Sequence, residues 1–356
     1  MHFDDGQVPE EYTRYIGRKI AVILAGMGAL TALLVAGIAM GPVSISPVDV
    51  VLTLAGRSVS ERLDIIVLNI RLPQALSAVA AGAGLAVSGA VMQSILRNPL
   101  GSPFTLGLSH AAAFGAALAV MVMGTGTMSS SSVGAISISS PYATTAVAFA
   151  FCLLNAGVII AVSKLRQVTA EVMILTGIAL GSLFTAGTMF LQYFADDTQL
   201  AAMVFWTFGD TARASWRQLA IISVATVLLA LYFQYNSWSY NAIDAGDETA
   251  RGLGVRVDRV RVLGMLATSL LTSVIVSFLG IIGFVGLVCP HLVRRLIGSD
   301  MRFLIPASLI AGAVLLLASD TAARLLLSPH VLPVSVLTAF LGAPVFIALI
   351  IRGGRP

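Results

Sequence analysis

Of 356 residues only 11% are charged, while 57% are hydrophobic, against about 25% charged in an ordinary soluble domain. So few charges cannot cover a water-soluble fold, and apolar runs near the roughly 20 residues needed to cross a bilayer recur along the whole chain. The composition implies one integral membrane domain, residues 1–356, all-α and polytopic; the formal net charge of +4 reflects how basic residues are distributed about a membrane, and no nucleic-acid partner is implied.

In chain order, residues 1–18 form a polar segment and 20–40 the first apolar span. That run exceeds the roughly 7–15 residues of a signal-peptide core, so it is expected to be a retained helix. The second span, 72–96, begins behind Arg71-Leu-Pro-Gln74 and is nearly all small residues over 80–90. Small residues let membrane helices approach closely where lipid gives them no hydrophobic reason to associate. Further spans are predicted at 104–123, 142–163, 172–194, 219–235, 262–279, 283–297, 303–326 and 332–351, ten in all. The eighth is short and contains Pro290.

Three polar segments separate spans. Residues 124–141, rich in Gly, Ser and Thr without charge, read as a flexible external loop. Residues 196–218, with Trp206 and Trp216, read as an external interfacial helix and turn. Residues 236–261 form the longest charged stretch, in which Gly246 precedes a short helical run through Asp247, Glu248, Ala250 and Arg251 that Gly252, Leu253 and Gly254 close. Held between two spans, this run suits either a docking element or an amphipathic connector.

Lys and Arg accumulate in cytoplasmic loops. With a cytoplasmic N-terminus, 15 of the 21 basic residues fall inside and only Arg57, Arg62, Arg71, Arg213, Arg217 and Arg324 outside. The count favours ten spans with both termini in the cytoplasm.

No phosphate-binding loop of the Gly-x4-Gly-Lys-Ser/Thr type occurs, and His2, His110, His291, His330, Cys152 and Cys289 lack metal-site spacing. No catalytic constellation, cofactor or metal site is expected, and His291 reads as a cap or interfacial residue. Ion-coupled carriers use ionisable groups within spans, whereas here only Glu171 and Asp320 come near the membrane, both towards span ends. Transport energy is therefore expected from another polypeptide.

Arg71-Leu-Pro, Ser88-Gly-Ala, Arg97-Asn-Pro-Leu100, Leu106-Gly-Leu-Ser109, Leu175-Thr-Gly-Ile-Ala-Leu-Gly181, Ala250-Arg-Gly-Leu-Gly254, Gly283-Phe-Val-Gly-Leu-Val-Cys-Pro-His291, Leu332-Pro-Val and Leu341-Gly-Ala-Pro-Val-Phe346 follow one another in order. Over essentially its whole length the chain thereby resembles the FecCD family, the permease subunits of binding-protein-dependent ABC importers for cobalamin and iron siderophores. The resemblance implies a cobalamin-permease-like bundle and a homodimer in the lipid of a prokaryotic cytoplasmic (inner) membrane. Two cytoplasmic ABC ATPase subunits and a periplasmic or lipid-anchored substrate-binding protein would complete it. It implies that the chain is not itself an enzyme, that 246–254 couples to the ATPase, and that Arg71 and Arg324 grip the binding protein. Gln74 stands where the cobalamin permease has a second arginine. It also places a cytoplasmic gate at Asn98, Leu100, Thr169 and Glu171, the last being unusual among small polar gate residues. The expected cargo is a metal chelate, an iron siderophore or haem, moved by alternating access; cobalamin or an oxyanion is the alternative within the class, and a secondary transporter the alternative outside it.

Overall fold

The computed structural model describes residues 10–41, 43–57, 59–124, 126–128, 136–138, 141–166, 168–327 and 330–353. Its helices are α1 (Glu10–Ala39), α2 (Pro47–Leu54), α3 (Glu61–Asp64), α4 (Leu72–Ile95), α5 (Leu108–Met123), α6 (Pro141–Arg166), α7 (Ala170–Phe194), α8 (Asp197–Thr207), α9 (Trp216–Tyr235), α10 (Ser237–Asp244), α11 (Asp247–Gly252), α12 (Val257–Leu279), α13 (Val285–Ile297), α14 (Met301–Leu325) and α15 (Val334–Gly353). The ten predicted spans fall on α1, α4, α5, α6, α7, α9, α12, α13, α14 and α15. Among the described residues seven helical stretches are long and apolar enough to cross a bilayer, while α5 and α15 are shorter apolar helices. The 13 residues of α13 reach only about 20 Å. The irregular residues before it lie against protein, with Ile281 bridged to Phe208, as unpaired backbone at membrane depth requires.

Helix α4 is the hub, buried along nearly its whole length and packed on α14, α12, α13 and α9. Its small residues make this possible. A Cβ on Gly82 would strike the carbonyl oxygen of Gly312 on α14, and one on Gly89 that of Gly286 on α13. α5 packs on α6 and α7, and α1 lies at the periphery against α14.

The helix leading into α4 starts earlier than the apolar run, at Glu61, and passes through a π-helical segment, Ile65–Arg71. Pro73 explains it. Proline lacks an N–H and its ring clashes with the carbonyl four residues back, and the wider turn, in which Leu72 N–H bonds to Val67 O, relieves both problems without ending the helix.

Within 124–141 a short antiparallel pair forms, Gly126–Met128 with Ile136–Ile138, so this loop is not wholly irregular; residues 129–135 lie outside the described residues, as do 1–9 of the N-terminal segment, His2 and Arg355. The 196–218 segment is α8 followed by a short 3-10 turn, Thr211–Arg213. Trp216 is exposed as expected of an interfacial aromatic, whereas Trp206 is buried. Both cysteines are free and buried.

Candidate functional site

Three segments distant in sequence meet at the end of the bundle that holds the α10–α11 connection. They are the loop leaving α4, the residues leading into α7, and α11 itself. Arg261 joins them from the second turn of α12. Its guanidinium is 2% exposed and donates from Nε to Ile95 O at 2.8 Å, from Nη1 to Val168 O at 2.8 Å, and from Nη2 to both carboxylate oxygens of Asp247 at 3.0 and 3.1 Å. A planar fork with five donors can hold three groups in fixed relative positions in a way lysine cannot.

Beside this junction three of the four expected gate residues come together. Asn98, Thr169 and Glu171 line one cavity of about 440 Å³ with Asp247 and Arg261. Asn98 Oδ1 accepts from Leu100 N–H at 2.9 Å and shapes the turn, leaving the Leu100 side chain exposed. Thr169 is the N-cap of α7, its hydroxyl accepting from Val172 N–H. Glu171, in the first turn of α7, is exposed.

The segment expected to couple to an ATPase is built around a small apolar cluster of Ile243, Ala250 and Val257. Gly246, at φ +124°, starts α11. Gly254, at φ +83°, ends it, with Val255 N–H bonding to Ala250 O and Gly254 N–H to Arg251 O, a C-terminal lock that needs a left-handed residue. Glu248, Arg251, Gly252 and Gly254 are exposed, and Leu253 projects between the two glycines at 70% exposure. The segment is anchored to the bundle by Ser94 Oγ donating to Tyr240 O at 3.2 Å and by Asn241, whose amide nitrogen donates to Asp300 at 3.0 Å while its oxygen accepts from Met301 N–H at 2.7 Å. Burial opposes ionisation of Asp300, but hydrogen bonds from Arg302 and Asn241 prevail and hold its pKa at about 2.

At the opposite end, Arg71 and Arg324 are not the water-facing side chains expected of residues beside span ends. They are 5% and 6% exposed. Arg71 donates to Ile38 O and Ala39 O at 2.7 and 2.9 Å and also to Val43 O; Arg324 donates to Gly37 O and Met40 O at 2.9 and 3.2 Å. The last carbonyls of a helix have no partners within it and carry its negative pole, so the two guanidiniums are drawn inward to cap α1. Gly41 makes the approach possible, since a Cβ there would sit 2.6 Å from Arg71 Nη2. Asp320, 2% exposed, accepts from Arg324 Nε at 3.1 Å, from Gln74 Nε2 at 2.9 Å and from the Thr211 hydroxyl. Gln74 thus faces the interior too.

Between the two ends, two of the ordered motifs prove to be one contact. Gly177 and Gly181 of α7 pack on Leu106 and Gly107, and Asn155 donates to Leu106 O at 3.0 Å from beneath. The seam opens into a groove of about 580 Å³ lined by small residues of α7 and by His110.

Sequence reasoning passed over Arg261, counting it only among the basic residues of the segment. A signal was available, because Val257, Arg261, Gly264, Met265 and Thr268 share the i, i+4, i+7, i+8, i+11 stripe that α12 buries.

The FecCD transport family matches residues 29–352. A provisionally named ABC transporter permease of Methanocaldococcus jannaschii is 50% identical over 345 residues, 97% of this chain and 98% of that one. The hemin transport system permease HmuU of Yersinia pestis is 36% identical over 300 residues, covering 84% and 87% respectively. A solved inward-facing structure, provisionally described as a metal-chelate type ABC transporter, superposes with a TM-score of 0.80 at 30% identity, over 93% of this chain and 99% of that one.

Proposed function

The chain belongs to the FecCD transport family, and from that premise we propose that it carries an iron chelate, a ferric siderophore or haem, from an external binding protein to the cytoplasm, driven by separate ATPase subunits. It is a multi-pass membrane permease of the ABC-importer type, and not itself an enzyme. In our reading it works as a homodimer in a prokaryotic inner membrane with both termini in the cytoplasm. α11 is its ATPase contact, and Asn98, Leu100, Thr169 and Glu171 form the inner gate. The binding protein docks at the opposite end, where Arg71 and Arg324 act from beneath the surface by fixing the end of α1 and Gln74 acts by holding Asp320, the partner of Arg324.

The observation that carries this reading is the Arg261 junction, which ties the exposed coupling helix to both gate loops through one buried side chain. Movement of α11 cannot leave Ile95 and Val168 behind without breaking charge-assisted bonds. That is the mechanical requirement of a permease whose energy arrives from outside its own chain. Asp320 supports the same view against ion-coupled transport, since this membrane acid is committed to Arg324, Gln74 and Thr211. A hemin permease and an Fe(3+)-citrate permease among its relatives support an iron chelate as cargo, and vitamin B12 and molybdate permeases of similar identity keep cobalamin and an oxyanion as the alternatives to test.

The test is uptake into proteoliposomes holding this permease with a cognate ATPase and binding protein. ATP-dependent accumulation of a ferric siderophore or haem supports the proposal. Accumulation of cobalamin or molybdate instead replaces the cargo while leaving the class intact, and accumulation driven by an ion gradient without ATP overturns it.

A further inference from the structure

A second cavity at the coupling-segment end, of about 570 Å³, is lined by Gln93, Arg97, Asp244, His291, Arg294 and Arg295 among others. It unites two of the ordered motifs, the one beginning at Arg97 and the one ending at His291, that the gate and coupling roles leave without a shared purpose. Three guanidiniums and one carboxylate line it. Arg97 is held over the cavity by a backbone at φ +45°, a left-handed conformation uncommon for a residue with a Cβ.

The wall is also short of hydrogen-bond partners. Gln93 is 3% exposed and donates to Leu287 O at 3.3 Å, yet its Oε1 has no partner. Arg294 Nε and Asp244 Oδ2 are likewise buried without a hydrogen bond, Asp244 Oδ2 meeting Arg294 Nη1 only across a loose 3.9 Å. Buried polar atoms are nearly always satisfied in folded proteins, so three on one cavity mark a place where a polar guest belongs. The guest must carry negative charge and several acceptor oxygens for the guanidiniums, and one donor for the oxygens of Gln93 and Asp244.

We propose that this cavity binds a phosphate monoanion or dianion, the P–O oxygens on Arg97, Arg294 and Arg295 and the remaining P–OH directed at Gln93 and Asp244. Guanidinium is the side chain best shaped for phosphate oxygens, and the lining brings three of them to one cavity. Bound there, phosphate bridges the loop after α4, which carries Asn98, to the end of α13, and so holds the gate loop in the conformation seen here. The chemistry has two sources, free inorganic phosphate or the headgroup of a phosphomonoester lipid.

Two titrations of the full-length permease distinguish them. In detergent, inorganic phosphate is titrated at constant ionic strength against a chloride control and read by calorimetry and thermal unfolding. In nanodiscs of neutral lipid, phosphatidic acid is introduced and unfolding read again. Saturable phosphate binding that weakens about tenfold in Arg97→Ala and Arg294→Gln, and is restored in part by Arg294→Lys, supports a free-phosphate site. Stabilisation by phosphatidic acid alone, lost in the same variants and kept in Arg259→Gln, assigns the site to a lipid headgroup. If neither ligand binds the wild type, or if Arg97→Ala and Arg294→Gln respond as the wild type does, the proposal is wrong. Gel filtration of each variant shows whether it has folded; should Arg294→Gln not fold, Arg97→Ala, on an exposed turn, carries the test.

Discussion

The Arg261 guanidinium on α12 grips both carboxylate oxygens of Asp247 on α11, at 3.0 and 3.1 Å, while its remaining donors hold Ile95 O and Val168 O. One side chain therefore fixes the distance between the helix proposed to receive force and the two loops proposed to close the pathway. Coupling between distant sites needs an element that both can bias, and the Arg261 junction is the one proposed here.

Arg261→Gln should uncouple the transporter. Two buried carbonyls lose their donors at roughly 1–3 kcal/mol each, so the unfolding midpoint falls, but the diagnostic change is in ratio. Uptake per ATP hydrolysed in proteoliposomes drops, while binding of the ATPase through Leu253 persists. Asp247→Asn, with Asp247 partly exposed, should show the same signature more weakly. A fall in uptake and hydrolysis in equal proportion would make Arg261 structural only.

Changes at the tip of the segment should act the other way round. Leu253→Asp removes the exposed apolar contact and should abolish co-purification of the ATPase with little change in thermal stability. Gly254→Val forces a β-branched residue to φ +83°, at about 1–2 kcal/mol, and should loosen the α11 end as well. Retention of the ATPase by Leu253→Asp would place the contact elsewhere.

The gate assignment predicts proximity between subunits. Leu100→Cys is the preferred probe because its side chain is exposed, whereas Thr169→Cys also removes the α7 N-cap, at about 1 kcal/mol. Leu100→Cys should cross-link across the dimer in one nucleotide state and not in the other. No cross-link in any state contradicts the gate.

At the opposite end, Asp320→Asn leaves Arg324 buried without its counter-charge, a change that typically costs about 3–5 kcal/mol; a thermal-melt series should show it as one of the most destabilising single substitutions in the chain. Arg71→Lys keeps the charge but not the fork and should lose about 1–3 kcal/mol. If these arginines position the end of α1, both variants weaken capture of the binding protein at every ionic strength. An effect that shrinks as salt rises would instead mean direct charge pairing across the interface.

Asp300 sets a pH dependence. Its folded pKa, about 2, lies below the ordinary 3.8, so its contribution is fully present above the ordinary value and is lost as pH falls towards the folded one. Asp300→Asn should therefore lower the unfolding midpoint at neutral pH, and the gap to wild type should close in strong acid. A gap that persists at acid pH would assign the effect to lost packing.

Much of the architecture was legible because membrane spans announce themselves by length and apolarity, and because small residues such as Gly82 and Gly89 have no other use than close packing. The π-helical approach to α4 was not, since Pro73 reads locally as a boundary and only the accommodated ring shows otherwise. Arg71 and Arg324 were found as residues but misjudged as exposed. An arginine at a span end satisfies the same charge count whether it reaches water or turns back to the carbonyls of Gly37, Ile38, Ala39 and Met40, and sequence spacing cannot tell which. Arg261 was hidden for the complementary reason: its partners Ile95, Val168 and Asp247 are brought together only by the fold.

The central claim, that an external ATPase drives cargo through this permease by way of the Arg261 junction, is tested most directly by uptake in proteoliposomes containing permease, ATPase and cargo-loaded binding protein. The account predicts ATP-dependent accumulation of iron chelate by the wild type and, in Arg261→Gln, continued ATP hydrolysis with accumulation largely lost. Full accumulation by Arg261→Gln, or accumulation by the wild type without ATP, would contradict it.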